Sequence, residues 1–330
     1  MMKAMRIAVI VMMIPVTTML FAARLGAQSN SSSTANVADP ASSGSSSNDA
    51  PASAQVTPAA NFNRHYLWTE EFDGSANSEG QVMSIDSSVG YVFSRHFGVD
   101  AGIPIYFVRG TSTTSTGGTT TTSNNGLGDA YLQLRLAFAN PVLNYKTVLT
   151  GTAPTGSSSA GLSTGHATYD WTNHIDHHFG RLVPFAEAGV GNSIPETFVF
   201  NRPFKSYGHD AHFQAGAGFQ IADWLGVNAS AYDIAPWGTQ TVYSRLVGVG
   251  GPPILSGGGH GRVFNLANRT TGSSSLAADN GFSAGADISP GSVLDFSASY
   301  SHSVHFQLDT LSFGVGVNMS KLLRHARRSF

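Results

Sequence analysis

Residues 81–107 read QVMSIDSSVGYVFSRHFGVDAGIPIYF, and their alternation decides the fold. Met83, Ile85, Val89, Tyr91 and Phe93 fall on one face of an extended chain, with Ser84, Asp86, Ser88 and Gly90 on the other. After Ser94-Arg95-His96, Phe97, Val99, Ala101, Ile103, Ile105 and Phe107 share one side, opposite Gly98, Asp100 and Gly102. Successive side chains of a strand point to opposite faces, so this period of two marks a sheet with unlike faces. Folding the two segments about Arg95 pairs Met83 with Phe107, Ile85 with Ile105 and Val89 with Ala101. Apolar residues then meet across the turn.

The pattern recurs along the chain. Leu132, Leu134, Leu136 and Phe138 alternate with Asp129, Tyr131, Gln133 and Arg135. Phe213, Ala215, Ala217 and Phe219 alternate with Asp210, His212 and Gln214. Near the C-terminus, Phe282, Ala284, Ala286 and Ile288 alternate with Ser283 and Asp287, and Leu294, Phe296 and Ala298 with Asp295 and Ser297. Short connections (94–96, 139–142, 179–181, 222–224, 289–293) alternate with long ones rich in Ser, Thr and Gly (109–126, 154–166, 192–208, 235–280, 301–309). Outer-membrane barrels show this parity, with short periplasmic turns and long extracellular loops. An upward strand must precede 81–93, and Asn63–Phe72 supplies it. The expected fold is all-β: an antiparallel up-and-down transmembrane barrel of about 12 strands.

A water-soluble β-sandwich with its apolar faces inward would carry the same alternation. Only 12% of the residues are charged, about half the usual share of a soluble domain, ~25%. The polar faces are Gly, Ser, Asn, Gln and Asp where a soluble surface would use Lys and Glu. Aromatic residues also sit near both ends of the apolar faces. Tyr91, Phe93, Phe97, Phe138 and Tyr145 lie at the short-turn side, and Phe107, Tyr169, Trp171, Phe213, Phe282 and Tyr300 at the other. Such pairs of rings are the girdles of the two membrane interfaces. After the first 25 residues nothing approaches the ~20 continuous apolar residues of a spanning helix.

The N-terminus reads as a signal peptide over 1–27, with Lys3 and Arg6 before the apolar run Ile7–Ala22 and a small-residue site at Leu25-Gly26-Ala27. Its removal, with Arg24, leaves 15 basic against 20 acidic residues, a net charge of −5. That balance disfavours a nucleic-acid partner. Residues 28–60 are poor in large apolar groups and are expected to be disordered. The barrel follows over 61–320, and a basic C-terminal tail (Lys321, Arg324, Arg327, Arg328) over 321–330. The chain has no cysteine, so an exported fold must be held by its sheet and not by disulfides.

The segments Gly126-Leu127-Gly128-Asp129, Pro154-Thr155-Gly156 and Ser163-Thr164-Gly165 lie at strand ends. Their order and spacing resemble a family of outer-membrane transporters associated with the meta-cleavage pathway of phenol degradation, over about residues 80–320. The resemblance implies a barrel that passes small compounds, aromatic ones among the candidates, and no catalytic residue. Phe330 resembles the terminal aromatic by which the outer-membrane assembly machinery recognises barrels. The implied partners are thus the lipid bilayer, small solutes and that machinery, in a Gram-negative-type envelope; no cofactor is implied and the oligomeric state stays open.

With the polar faces inward, the pore-lining residues are Asp86, Asp100, Asp129, Asp170, Asp176, Glu187, Asp210, Asp287 and Asp295, against Arg135 and Lys146. Gln133, His174, His212 and Gln214 share that surface. A low-dielectric wall lined with one sign of charge focuses the potential, so the lumen is expected to favour cations. Twelve strands lie between the packed interior of eight and the aqueous channel of sixteen, which predicts a narrow pore. Register arguments set Ile288 opposite Leu294, Phe282 opposite Tyr300, Asp287 opposite Asp295, and Arg135 opposite Lys146. Arg135 would then need Asp176 or Asp100 as its partner. Strand spacing puts His174, Asp176 and His178 on one face with Glu187 across from His174. A polar, pH-sensitive patch is the expectation there, and a zinc or copper site the alternative. The loop 235–280 is expected at the surface, with an inward constriction as its alternative. No nucleophile elbow, HExxH or phosphate loop anchors an enzyme. The sequence thus points to a narrow outer-membrane channel or transporter, with a structural or adhesive barrel, and then a hydrolase, as alternatives.

Overall fold

The computed structural model describes residues 65–113, 119–139, 142–196, 202–246, 267–291 and 293–328. The segment expected as a signal peptide, the tract 28–60, the middle of the loop 235–280 and Phe330 lie outside them. The strands are β1 (His65–Asn77), β2 (Gly80–Ser94), β3 (Phe97–Thr113), β4 (Thr119–Leu127), β5 (Ala130–Ala139), β6 (Asn144–Ala153), β7 (Thr168–Asp176) and β8 (Leu182–Gly191). There follow β9 (Phe204–Tyr207), β10 (Asp210–Ala222), β11 (Leu225–Pro236), β12 (Gln240–Ser244) and β13 (Arg269–Gly272). The last are β14 (Asp279–Ile288), β15 (Leu294–Ser303) and β16 (Leu308–Asn318), and a helix α1 (Met319–Arg328) ends the described chain.

Twelve of these strands form one closed antiparallel wall, in the order β1, β2, β3, β5, β6, β7, β8, β10, β11, β14, β15, β16. Closure is made by β16 against β1, paired from Thr69 and Asn318 to Asn77 and Thr310. Each strand pairs with its barrel neighbours in sequence, so the up-and-down topology holds throughout. The β2–β3 register joins Met83 to Phe107, Ile85 to Ile105 and Val89 to Ala101, as the alternation predicts.

The wall is inverted relative to a soluble protein. Along β5, Leu132, Leu134 and Leu136 are 51, 38 and 39% exposed, while Gln133 and Arg135 between them are 3 and 9% exposed. Phe138, Trp171, Phe213 and Phe282 lie on the outside as well, and Asp100, Asp210, Ser283 and Ser301 are buried inside. Only a hydrocarbon solvent stabilises an outer face of this kind, and only a closed sheet satisfies every backbone group within it. The chain is an outer-membrane β-barrel, and its place is the outer membrane. From Phe97 to Phe107 the rise of a tilted strand spans about 25 Å, the height of the apolar band in such barrels.

Two expected registers are corrected. The β5–β6 hairpin pairs Ala139 with Asn144 and Phe138 with Tyr145, so Arg135 faces Val148 and Lys146 faces Ala137. The turn centre lies one residue later than the polarity suggested, and the Phe138 and Tyr145 rings stack across it at 6.4 Å. In β14–β15, Ile288 faces Phe296, Phe282 faces His302, and Asp287 faces Ser297 and not Asp295. Here both strand ends bond outward: the Ser289 N–H donates to the Trp224 carbonyl and the Asn318 N–H to the Val293 carbonyl. The hairpin therefore closes above them.

The long connections are more ordered than their composition suggests. The Thr-rich stretch expected as a loop forms β4 and extends β3 in a two-stranded ribbon, Ile105 to Leu127 and Thr113 to Thr119. β-branched threonine suits a strand. β5 takes over the lower half of the same β3 edge, from Gly102 and Tyr131 to Phe97 and Leu136. A second sheet, β13-β12-β9, is built from the 192–208 and 235–280 connections. Among the described residues the basic tail lies in α1.

Replacing Leu134 with Arg places a charge in the middle of the lipid-facing band. The expected cost is about 2–4 kcal/mol of folding free energy in phospholipid vesicles, measured by urea unfolding; an unchanged midpoint would place Leu134 away from lipid.

Candidate functional site

The interior of the barrel is the candidate site. Its wall is made by the inward half of each strand, and glycine sets how far large side chains reach across it. Tyr131 lies over Gly102, where a β-carbon would stand 2.5 Å from the phenol oxygen. The Tyr131 hydroxyl donates to Asp86 Oδ2 at 2.8 Å. Beside it Arg135 makes a two-pronged contact with Asp100, Nη2 to Oδ1 at 2.8 Å and Nε to Oδ2. Asp100, one of the two partners expected for Arg135, is its partner, and Asp176 is not.

A second polar column runs along β7, β8 and β10. His174 faces Glu187 across β7–β8, with Nδ1 3.4 Å from Oε2. Asp176 lies 3.5 Å from His174 Nε2 and 3.6 Å from His178 Nε2, and accepts from Asn144 Nδ2 at 2.8 Å. Nearer the long loops, His212 Nδ1 stands 3.6 Å from both Asp170 and Asp210. Glu187 faces Gln214, whose amide donates to Ser230 at 2.8 Å. Imidazoles and carboxylates thus alternate down one wall. Among the described residues, no three His, Asp or Glu side chains converge as a metal ion requires.

On the remaining wall, Asp287 accepts from Asn228 Nδ2 at 2.9 Å, and Asp295 sits opposite Gly316. Lys146 faces His174 across β6–β7. Asp129, at the break between β4 and β5, pairs with Lys205 at 3.6 Å and accepts from the Gly156 N–H at 3.2 Å. Asp73 is a further inward carboxylate, 8% exposed, which the sequence reading passed over by ending the first strand at Phe72. The alternation of Leu67, Thr69, Glu71, Asp73 and Ser75 with Tyr66, Trp68, Phe72 and Gly74 carries that signal. The Oδ1 atoms of Asp73 and Asp86 are buried and have no protein donor.

At the mouth the polarity of the inner face changes. Val82, Tyr106 and Val108 point inward and pack on Leu162 of the 154–167 connection. Across from them, Ile194, Phe204, Tyr232, Ile234, Val242, Ala277 and Leu308 form a second cluster. Loops supply the covering side chains, so the described part of the 235–280 connection folds inward. Arg245 anchors it: its guanidinium is 4.4 Å from the Tyr106 ring centre, bonds Glu196, and donates to the carbonyls of Gly161 at 3.2 Å and Arg202 at 3.1 Å. The Tyr106 hydroxyl donates to the other Glu196 oxygen. Arg202 in turn pairs with Asp279 at 3.2 Å, and Ser303 donates to that carboxylate at 2.6 Å. Arg245, Glu196 and Arg202 had no sequence signal, because each acts through contacts made across more than forty residues.

Burial opposes ionisation of Glu196, but Arg245, Lys205 and the hydrogen bonds from Tyr106 and Arg245 outweigh it and hold the carboxyl below the usual range. A depressed carboxylate adds stability above its unfolded value, ~4.3, and loses it as pH falls through the folded one. Hydrogen exchange over 156–166 and 240–246 is therefore expected to stay slow from neutral pH to about 5 and to quicken below about 4. Glu196→Gln should make exchange there faster at neutral pH and remove that step. In the wall, Arg135→Met leaves Asp100 buried and unpaired and should cost about 3–5 kcal/mol, whereas adding Asp100→Asn should restore much of it. Urea unfolding of both variants in vesicles measures the difference.

No known protein family matches the sequence, and no curated protein does. Among solved structures the chain is similar to an outer-membrane channel from Pseudomonas putida F1, with 10% identity and a TM-score of 0.49 over 78% of this chain and 96% of the other. It is also similar to the NanC porin, with 8% identity and a TM-score of 0.38 over 76% and 98%. A third similar structure is OmpT, an outer-membrane protein of Vibrio cholerae, with 6% identity and a TM-score of 0.30 over 79% and 99%.

Proposed function

We propose that the barrel is a narrow channel or transporter for small solutes and that its lumen favours cations. The observation that carries this reading is the charge of the inner wall. Asp73, Asp86, Asp170, Asp176, Glu187, Asp210, Asp287 and Asp295 face inward beyond the Asp100–Arg135 pair, and Lys146 is the fixed cation of the strands set against them. A buried carboxylate oxygen needs a donor or a counter-ion, and Asp73 Oδ1 and Asp86 Oδ1 find neither in the protein. Water and cations of the lumen meet that need. A narrow bore is supported by Tyr131, which reaches from β5 to Asp86 on β2, and by the loops packed at the mouth.

A solute that passes this interior is small and neutral or positively charged, since an anion meets repulsion along the whole acidic wall. The association with phenol-derived compounds belongs here too: a neutral phenol crosses such a wall more readily than its catecholate or a ring-cleavage carboxylate. The same reading gives the wall no catalytic residue: Asp86 accepts from Tyr131, His174 faces Glu187, and Ser230 shares a hydrogen bond with Ser283.

In planar bilayers under a potassium chloride gradient, the refolded protein is expected to give small conductance steps with a reversal potential of cationic sign. Asp287→Asn together with Asp295→Asn should move that potential toward zero. Absence of conductance together with absence of liposome swelling in small neutral solutes would leave a structural barrel as the reading.

A further inference from the structure

We propose that α1 is an interfacial anchor that binds the anionic phospholipid head groups of the periplasmic leaflet. β16 runs toward the short-turn end of the barrel, and α1 starts where its ladder stops. Asn318 caps the helix, its side-chain oxygen accepting the Lys321 N–H at 2.9 Å. Ser320 fixes the first turn to the barrel: its hydroxyl oxygen accepts the Trp68 N–H at 2.8 Å and lies 3.3 Å from the Tyr66 carbonyl. Those groups belong to the end of β1 that projects past the last β16 pair, Thr69 with Asn318.

The depth of this start is marked by aromatic rings on the outer wall. Tyr66 is 72% exposed, and it leads a chain of contacts to Tyr91, Phe93 and Phe97 at 4.8, 4.7 and 5.3 Å. Rings of this kind settle at the level of the head groups. The helix therefore leaves the wall where phosphates lie. Its sequence fits that place, with Met319, Leu322, Leu323 and Ala326 at the spacing of one helical stripe. Lys321, Arg324, Arg327 and Arg328, with Ser320 and His325, take the other positions, and no acidic residue follows Asp309.

An apolar stripe opposite a basic one is the pattern of a helix lying in the interface. Leu323, near the middle of the stripe, is 45% exposed, so the barrel leaves it for another apolar surface. The charge is concentrated here in an otherwise acidic chain. Arginine matches phosphate oxygens with two parallel hydrogen bonds, and basic residues close to an anionic leaflet add attraction one by one.

The test uses the full-length refolded protein in mixed micelles containing phosphatidylglycerol, cardiolipin and phosphatidylethanolamine, with retained lipids counted by native mass spectrometry. The wild type is expected to keep the anionic lipids over phosphatidylethanolamine. Replacing Lys321, Arg324, Arg327 and Arg328 with Gln should lower that preference by at least about tenfold, with the strand circular dichroism unchanged. Leu322→Ser with Leu323→Ser should weaken retention while the charges stay, which separates a lipid surface from a site for free phosphate. Equal retention of all three lipids by the wild type overturns the proposal, as does an unchanged preference in the charge variant, full retention in the leucine variant, or displacement of the lipids by inorganic phosphate.

Discussion

The backbone imposes the constraint on which everything else depends. Within hydrocarbon each unpaired N–H or C=O costs several kcal/mol, and the wall has no edge only because β1 bonds β16 along nine residue pairs. Closure frees the outer face from any need to hide its apolar groups, so Leu132, Leu134 and Leu136 face out. The same closure forces polar side chains inward, where they must find one another. Soluble proteins are organised by a greasy centre; this barrel is organised by its ladder, and its interior is an electrostatic problem.

That problem is solved locally. Arg135 neutralises Asp100, Tyr131 serves Asp86, and Asn228 serves Asp287. Histidines answer carboxylates along β7 and β10. Each solution lies along the inner face: Arg135 and Asp100 sit on the neighbouring strands β5 and β3, and Asn228 and Asp287 on β11 and β14. The stability of the inner wall thus rests on pairs made between nearby strands. Asp73 and Asp86 each keep one buried oxygen to which no protein group donates.

Much of this was legible in the sequence, and the failures have a common origin. A period of two survives any error in turn length, so the strands, their number and their faces could be read from Leu132–Phe138 or Phe213–Phe219 alone. Register could not, except where the turn was short: folding about Arg95 left β2 and β3 one pairing of their apolar faces, which the chain keeps by an irregularity at Phe93 above the Ser94–Phe97 pair. At Ala139–Asn144 and Ile288–Leu294 the polar stretch allowed several turn centres, and the one adopted depended on Phe138 meeting Tyr145 and on bonds to neighbouring strands. Arg245 lay beyond reach for a stronger reason. Its partners Gly161, Glu196 and Arg202 come from separate connections, and nothing local to any of them distinguishes a buried arginine from a solvated one.

The inner face also records where the membrane ends. From Ser84 to Gly90 on β2 it is polar, as lipid outside demands. One step nearer the mouth, Val82 is buried inside, and Tyr106 and Val108 on β3 join it under Leu162. Beyond the hydrocarbon, water lies outside the wall and the ordinary rule returns: apolar groups turn inward and the loops form a small core of their own, clamped by Arg245 and Glu196. The reversal falls beside Phe107, the aromatic expected at that interface, so the outer girdle and the onset of an inner core mark the same plane. One strand pair therefore obeys two opposite solvation rules along its length, and the point of exchange is a physical measure of where lipid gives way to water.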